Sequence, residues 1–184
     1  MFKFVNMTRD HLADVLRWRT QEDVTRCLFT DLDQPSLEKQ TAWFDEVQED
    51  PSRHYWVISQ GPRPIGALFV TNFDERHFRA QYGFYIGPPD MRRWGAFIPP
   101  LFYNHAFAPN GLGLRKLWFE VFVWNEPVLA LHFAQGCQQI GIARDHVSKH
   151  GRWHDVVLME LTSTDWAKMS RWHSAKTEFG AWIR

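Results

Sequence analysis

Residues 82–107 read YGFYIGPPDMRRWGAFIPPLFYNHAF, and this stretch decides the fold. Its β-rich start, ending at Ile86, predicts a strand, and the run from Gly87 to Gly95 is too rich in Gly and Pro for regular structure. A helix follows over residues 99–108, where the two prolines fit only in the first turn. The stretch therefore predicts a strand, a loop and a helix in succession.

The loop before this helix has the features of an anion site. Gly95 and Ala96 open the predicted helix, so free backbone N–H groups and the positive end of the helix dipole meet there. Arg92 and Arg93 would add charge-assisted hydrogen bonds to a phosphate or diphosphate. One glycine before a helix also occurs in loops without a ligand, so a purely structural interpretation stays open.

On both sides of this stretch, the hydrophobic pattern alternates between strand and helix periodicity. Strands are predicted at residues 2–5, 55–59, 65–72, 80–86, 117–124, 140–147 and 156–161, and helices after Thr8 and at residues 37–47, 99–108 and 126–135. This order indicates an α/β domain around a mixed sheet. We predict one domain over residues 1–162 and a tail, 163–184, that is partly helical and packs on it.

Composition narrows the class of protein. The 184 residues suit one domain, and the formal net charge of zero argues against a general nucleic-acid binder. No apolar run has the ~20 residues that a membrane helix needs, and the N-terminus does not resemble a signal peptide. Cys27 and Cys137 have neither the density of a disulfide scaffold nor the spacing of a zinc site. We therefore predict a cytoplasmic protein without a metal.

A second candidate unit is Asn125 and the helix that follows it. His132 lies seven residues after Asn125, about two helical turns, so both side chains can face the same side. A histidine is suited to proton transfer near neutral pH. Leu131 and Phe133 flank His132, however, and a buried structural histidine fits the same pattern.

In their order, these units resemble the GCN5-related N-acetyltransferase superfamily over nearly the whole chain. The family's diphosphate loop, Gln/Arg-x-x-Gly-x-Gly/Ala, is similar to residues 92–97, RRWGAF. Its Asn–helix–Gly-Phe signature and closing hairpin resemble Asn125, His132, Gly136-Cys137, Gly141, Gly151, Asp155 and Met159 to Thr162. Phe97 and Cys137 depart from the family pattern at positions that usually carry a small residue and a Phe.

The resemblance implies a single-domain fold with a mixed, mostly antiparallel seven-stranded sheet and about four helices. It also implies acetyl-CoA as cosubstrate, with the pantetheine paired to the fourth strand and lying between the fourth and fifth strands. The cofactor-binding residues that it implies are Phe84, Tyr85, Ile86, Arg92, Arg93, Trp94, Gly95, Ala96, Phe97 and Asn125.

The front half is similar to two branches of the superfamily. Trp18-Arg19 resembles their Trp-Arg-Asn, and Gln40-x-x-Trp43-Phe44 resembles their His-x-x-Trp-Phe, with Thr20 and Gln40 as departures. One branch acetylates an amino sugar carried on UDP in pseudaminic acid biosynthesis, and the other acetylates ribosomal protein N-termini. The Trp-rich front favours the sugar branch. The implied substrate-binding residues are Trp18, Arg19, Trp43 and Tyr82.

The resemblance further implies direct attack of a neutral amine on the thioester, with a strand amide near Phe84 stabilising the oxyanion. His132, as an imidazolium, would protonate the leaving thiolate. The base that deprotonates the amine stays open between Glu75, His77 and a water chain. We thus predict acetylation of a UDP-linked amino sugar by a monomer or homodimer, with no nucleic-acid or membrane partner. A peptide N-terminal acetyltransferase and a non-catalytic CoA-binding module are the alternatives.

Overall fold

The computed structural model describes residues 1–175 and 177–182. Its strands are β1 (Phe2–Asn6), β2 (His54–Gln60), β3 (Arg63–Asp74), β4 (Arg79–Ile86), β5 (Lys116–Phe122), β6 (Gln138–Lys149), β7 (Arg152–Thr162) and β8 (Glu178–Phe179). Its α-helices are α1 (Leu12–Arg19), α2 (Glu22–Thr25), α3 (Leu37–Glu49), α4 (Ile98–Phe107), α5 (Glu126–Ala134) and α6 (Ser163–Ala167). Short 3-10 helices occupy Arg9–His11, Pro89–Phe97 and Ser170–Trp172.

The strands form a mixed sheet in the order β6–β7–β5–β4–β3–β2–β1–β8, which confirms the predicted α/β fold. By their contacts, the described residues group into two compact units. The first unit contains residues 1–73, 82–95 and 177–182, and the second contains residues 74–81 and 96–175.

In the first unit, β2 pairs antiparallel with both β1 and β3, and a bulge shifts the register after Ile58. Helix α1 buries Leu12, Val15 and Trp18, a three-residue spacing that gives the helix one apolar side. These side chains belong to a core cluster with Met7, Phe44, Val57 and Ala67. The amphipathic pattern of α1 thus explains why it packs where it does.

In the second unit, β4 and β5 pair in parallel from Arg79 opposite Lys116 to Gln81 opposite Trp118. Strand β7 pairs antiparallel with β5 and with β6. Helix α4 is nearly all apolar, and seven of its ten residues are buried. A helix that is apolar on most sides needs cover on most sides, so α4 is the central helix of this unit.

The segment after residue 162 takes part in both units. Residues 163–175 hold α6 and a 3-10 turn in the second unit. Residues 177–182 lie in the first unit, where Glu178 of β8 pairs in parallel opposite Lys3 of β1. The predicted domain boundary at residue 162 stays a prediction.

Aromatic contacts fasten this C-terminal segment, residues 177–182, to the outer edge of β1. The ring of Phe179 stacks on that of Phe4, with centroids 4.2 Å apart. Trp56 Nε1 donates to the Gly180 carbonyl at 2.9 Å, and the Gly180 N–H donates to the Phe4 carbonyl at 2.7 Å. The edge of β1 is therefore covered rather than left open to another chain.

Some elements differ from the sequence-based prediction. The predicted irregular run Gly87–Gly95 is largely the 3-10 helix Pro89–Phe97, because Pro89 has a helix-compatible φ and its missing N–H is not needed in a first turn. The four-residue α2 and the two-residue β8 are too short to produce a periodic pattern. Within the described residues there are accordingly eight strands instead of seven, and six α-helices instead of about four.

Candidate functional site

The predicted anion loop is the 3-10 helix Pro89–Phe97, which runs directly into α4 at Ile98. Phe97 caps α4 with helical backbone angles, φ −92° and ψ −16°. Pro99 and Pro100 follow in the first turn and have no N–H. Helix α4 therefore begins one residue earlier than predicted, and backbone donors for a phosphate must come from the residues before Pro99.

Arg92 is held in place by its neighbours in the first unit. Its Nη1 donates to Asp23 Oδ2 at 2.9 Å, and its Nη2 donates to Gln21 Oε1 at 3.1 Å and to the Gly87 carbonyl at 3.2 Å. The Arg92 hydrogen bond holds the pKa of the Asp23 carboxyl below its usual value. Arg92 thus connects the loop to the start of α2.

Arg93, Trp94 and Gly95 form the accessible part of the loop in the same unit. Arg93 is exposed, with its guanidinium carbon 5.5 Å from the centroid of the Trp94 ring. A Cβ at Gly95 would find its nearest neighbour, Phe84 Cε2, at 3.9 Å, an ordinary contact distance. This open backbone beside an exposed guanidinium fits a diphosphate, which needs close approach to amides and a positive charge.

Replacing Arg93 with Glu is expected to raise the Kd for acetyl-CoA at least ~10-fold, about 1.4 kcal/mol, because a repulsive charge replaces an attractive one. Calorimetric titration measures this. Arg76→Glu, an exposed arginine outside the loop, is the charge-matched control and should bind normally. Wild-type affinity of Arg93→Glu would place the diphosphate elsewhere. Arg92→Glu is a poorer test, since it also breaks the contact with Asp23.

Gly95→Val is expected to weaken acetyl-CoA binding at least ~10-fold, because the new side chain fills the space that a diphosphate would use. The melting temperature should change little, since the substituted position has room in the folded protein. Gly141→Val is the matched control, because a Cβ there meets nothing within 4 Å. Normal binding together with lower stability would assign Gly95 a structural role alone.

The strand residues predicted to line the CoA site, Phe84, Tyr85 and Ile86, end β4 in the first unit. Phe84 and Tyr85 are half-buried, and Ile86 is buried. Burial raises the pKa of the Tyr85 phenol, which keeps it neutral. The Tyr85 ring also meets Trp18 edge-on at 6.5 Å. These side chains contribute to packing, and backbone pairing with pantetheine stays a prediction.

The four predicted substrate-binding residues also lie in the first unit. Trp18 and Tyr82 are only 1% and 4% exposed, which leaves little surface for a substrate. Arg19 Nη2 donates to the carbonyl and hydroxyl oxygens of Thr30, both at 3.0 Å. Trp43 is half-buried against other aromatic residues. Arg19 and Trp43 are therefore the more accessible candidates.

Ala96 and Phe97, the remaining loop residues, belong to the second unit. The Ala96 carbonyl accepts a hydrogen bond from Gln135 Nε2 at 3.0 Å, and Phe97 is 46% exposed. Gln135 itself is fully buried, and among the described residues nothing donates to its Oε1. This glutamine therefore holds the carbonyl of a loop residue from the end of α5.

Asn125 precedes α5 and is half-buried. Its carbonyl accepts hydrogen bonds from the N–H groups of Val128 and Leu129, which starts the helix. Its side chain makes no capping hydrogen bond. Asn125 thus fixes the start of the helix that carries His132, and its predicted contact with CoA stays a prediction.

His132 lies in a buried polar cluster of the second unit. It is 4% exposed, and its Nδ1 is 3.3 Å from Tyr103 Oη. The same phenol oxygen lies 3.6 Å from Cys137 Sγ. The imidazole ring also packs against Phe119, with centroids 4.4 Å apart. We name Tyr103, His132 and Cys137 the α4–α5 cluster.

The end of α5 brings Cys137 back to His132. The N–H of Cys137 donates to the His132 carbonyl and that of Gly136 to the Phe133 carbonyl, both at 3.0 Å. These two hydrogen bonds form a Schellman motif, which requires a left-handed residue after the helix. Gly136 supplies it with φ +88°. The backbone therefore fixes two of the three members of the α4–α5 cluster.

Burial lowers the pKa of His132 to about 3, so the ring is neutral at pH 7. The predicted imidazolium is thus not the form present in the folded protein, because a buried charge lacks solvation. A neutral ring still donates one hydrogen bond and accepts another. Burial likewise raises the pKa of Cys137 to about 12, so its thiol stays protonated.

The two candidate bases lie in the turn between β3 and β4, within the second unit. His77 Nδ1 is 2.8 Å from Asp74 Oδ2, which also accepts a hydrogen bond from Arg79 Nε at 3.1 Å. Glu75 and His77 are both exposed. Nothing in this turn separates them, so both stay candidates.

The sequence analysis missed Tyr103 and Gln135. Tyr103 lies in an apolar helix and is fully buried, so its sequence context indicates only core packing. Gln135 precedes a helix-ending glycine, where polar side chains are usually exposed. The one available signal was the hydroxyl of Tyr103 in a buried helix, since buried hydroxyls need a hydrogen-bond partner.

Metal ions and membrane spans have no visible basis in residues 1–175 and 177–182. No three or more His, Cys, Asp or Glu side chains in these ranges come together in a way that could hold a metal ion. Within the same ranges, no helix has both the length and the apolar character to cross a bilayer. Cys27 and Cys137 are free thiols.

Comparison with known proteins agrees with the fold and the loop. A family model described as acetyltransferase (GNAT) domain matches residues 2–138. A spermidine N-acetyltransferase from Vibrio cholerae, solved with CoA and spermine, has 16% identity and a TM-score of 0.82 over 90% of this chain and 98% of that one. A chimera of the Vibrio cholerae enzyme and hSSAT has 17% identity and a TM-score of 0.79, with the same coverage. At such identities the structures show a common fold.

Neither comparison singles out the nucleotide-sugar or the ribosomal-protein branch. The family match, in contrast, spans most of the chain and includes the loop, α4, β5 and α5. The chain therefore belongs to the GNAT acetyltransferase family and is an acetyl-CoA-dependent N-acetyltransferase.

Proposed function

We propose that this acetyltransferase acts on a primary amine of a small, positively charged molecule. The amine nitrogen forms a bond to the acetyl carbonyl carbon, and the carbon–sulfur bond of the thioester breaks. The nitrogen loses a proton to water, and the sulfur gains one. The products are an N-acetyl amide and free CoA.

The distribution of charge carries this proposal. Residues 10–50 contain eleven Asp and Glu but only four Lys and Arg, a formal net charge of −7, although the whole chain is neutral. Asp31 and Asp33 are exposed in the connection between α2 and α3, with Glu22 and Glu38 exposed on either side. Exposed carboxylates attract a cationic amine and repel a diphosphate. The solved spermidine N-acetyltransferase, whose structure contains spermine, adds support for a polyamine-like substrate.

We assign His132 a revised role in this reaction. A neutral imidazole cannot act as a strong acid, but its N–H can donate a hydrogen bond to the sulfur as negative charge develops there. The thiolate then takes its proton from water. The burial of His132 and the second hydrogen-bond partner at Nδ1 support this role over the charged acid.

A UDP-linked amino sugar is the second candidate substrate. Trp18 Nε1 and Arg19 Nε, neighbours on α1, are buried without an acceptor among the described residues. Each such unpaired donor costs roughly 1–3 kcal/mol, and an acceptor-rich substrate would offset that cost. A peptide N-terminus is a third, because it shares the positive charge of a polyamine.

A substrate panel tests the proposal. The protein is incubated with acetyl-CoA and spermidine, spermine, a UDP-linked amino sugar or short peptides, and free thiol is measured. We expect kcat/KM for the polyamines to exceed that for the UDP-sugar at least ~10-fold and to fall as salt rises, because salt screens exposed charges. Preference for the UDP-sugar would contradict the proposal. Acetyl-CoA binding without turnover on any amine would favour the non-catalytic module.

Removing negative charge from the connection between α2 and α3 is expected to weaken binding of a cationic amine. Asp31→Asn with Asp33→Asn should raise KM for spermidine ~10-fold, about 1.4 kcal/mol, with kcat nearly unchanged. Asp10→Asn with Glu178→Gln, two exposed carboxylates on other elements, is the charge-matched control. Equal effects of the two double variants would show that the position of these charges does not matter.

A further inference from the structure

The α4–α5 cluster raises the question of which ring nitrogen of His132 carries its proton. Tyr103 Oη is 3.3 Å from His132 Nδ1 and 3.6 Å from Cys137 Sγ, and all three residues are at most 4% exposed. Two arrangements satisfy these distances. Either the phenol O–H donates to Nδ1, or Nδ1–H donates to the phenol oxygen and the phenol O–H donates to sulfur.

Donor and acceptor strengths decide between the two. A phenol O–H is a stronger donor than an imidazole N–H, and an unprotonated imidazole nitrogen is a far better acceptor than a thiol sulfur. The first arrangement joins the strongest donor to the strongest acceptor and leaves the weak S–H donor of Cys137 for the phenol oxygen. The second uses a weak acceptor at both contacts.

We propose that Tyr103 is a positioning residue that holds His132 as the Nε2–H tautomer by donating its phenol hydrogen to Nδ1. This inference rests on the proposed function, in which His132 donates an N–H hydrogen bond to the leaving sulfur. With Nδ1 occupied by Tyr103, Nε2–H is the ring hydrogen left for another partner. Tyr103 is fully buried, so it acts through His132 and does not touch the substrate.

The rest of the site is arranged to keep this geometry. The Schellman motif fixes the backbone of His132 relative to Cys137, and Phe119 packs against the imidazole ring. A ring held on several sides cannot turn over to exchange its two nitrogens freely. The tautomer is therefore set by the partner of Nδ1, which is Tyr103.

Nitrogen-15 NMR of the imidazole rings in the whole protein tests the inference without any variant. We expect Nδ1 of His132 at the chemical shift of an unprotonated ring nitrogen and Nε2 at that of a protonated one. A protonated Nδ1 would overturn the proposal. In Tyr103→Phe, Nδ1 should move toward the protonated shift, and kcat should fall ~10-fold with KM for acetyl-CoA little changed. Tyr55→Phe, which removes a phenol hydroxyl in the first unit, should alter neither.

The outcomes separate this inference from the proposed function. A Tyr103→Phe protein with the wild-type tautomer would overturn the role of Tyr103. A changed tautomer with unchanged kcat would leave that role in place but contradict the role of His132 in transfer. Wild-type spectra with no activity toward any amine would contradict the proposed function alone.

Discussion

Replacing His132 with Leu is expected to lower kcat about 100-fold, because removal of one preorganised donor to a developing negative charge typically costs ~10²- to 10³-fold. Leucine fills a similar volume but offers no hydrogen bond. The Kd for acetyl-CoA should change little, because the hydrogen bond forms mainly as the sulfur acquires charge. Thiol release measures kcat, and calorimetric titration measures Kd.

His132→Gln is the matched variant, because its amide N–H₂ keeps a donor near the position of Nε2. We expect it to recover part of the loss and to remain within ~10-fold of the wild-type kcat. A His132→Leu enzyme with full kcat and a lowered melting temperature would show that His132 is a core residue only.

The pH profile separates a neutral from a charged His132. With a pKa of about 3, His132 does not titrate between pH 5 and pH 8, so we expect no rate change in that window that disappears in His132→Gln. An imidazolium acid would instead give a rate that declines as the ring loses its proton.

Acidification is expected to destabilise the protein well above the range in which carboxylates titrate. Burial lowers the pKa of His54 and of His105 to about 4 and that of His132 to about 3, from an ordinary value of 6.5. As pH falls below 6.5, the unfolded chain takes up protons at these residues before the folded protein does. Their stabilising contribution is therefore complete above pH 6.5 and is lost as pH falls toward 4 and then 3.

His132 sets the largest share of this effect because it is the most buried of the three. It alone should lower the free energy of unfolding by up to ~1.4 kcal/mol per pH unit between about pH 6 and pH 4. Urea denaturation from pH 7 to pH 4 measures the slope. His132→Gln removes one titrating group and should make the slope shallower. An equal slope in both proteins would contradict the low pKa of His132.

The sequence predicted the fold well wherever an element was long and periodic. Helix α3, strand β4 and strand β5 lie close to their predicted positions, because burial of one side imposes a clear period on the sequence. The Pro-rich run before α4 was wrongly predicted as irregular. Proline excludes a helix interior but is compatible with a first turn, and local composition does not distinguish the two.

The site was harder to predict than the fold, because its properties depend on contacts between residues distant in sequence. Arg92 and Arg93 are identical in sequence terms, yet Asp23 binds the first and leaves the second exposed. His132 was identified by its spacing from Asn125, but its neutral state follows from burial and from Tyr103, which lies in another helix. Pairings of this kind have no local signature in the sequence.

The parallel pair of β1 and β8 has a consequence for biosynthesis. Lys3 is among the first residues that the ribosome adds, whereas its partner Glu178 is added 175 residues later. At ~5–20 residues per second, the nascent chain carries β1 for roughly ten to thirty seconds before β8 exists. During that time the outer edge of β1 is open to other chains, and chaperones that bind nascent chains would have their greatest effect then. Slowing translation should therefore increase aggregation of this protein more than that of a variant whose β1 edge is blocked by proline.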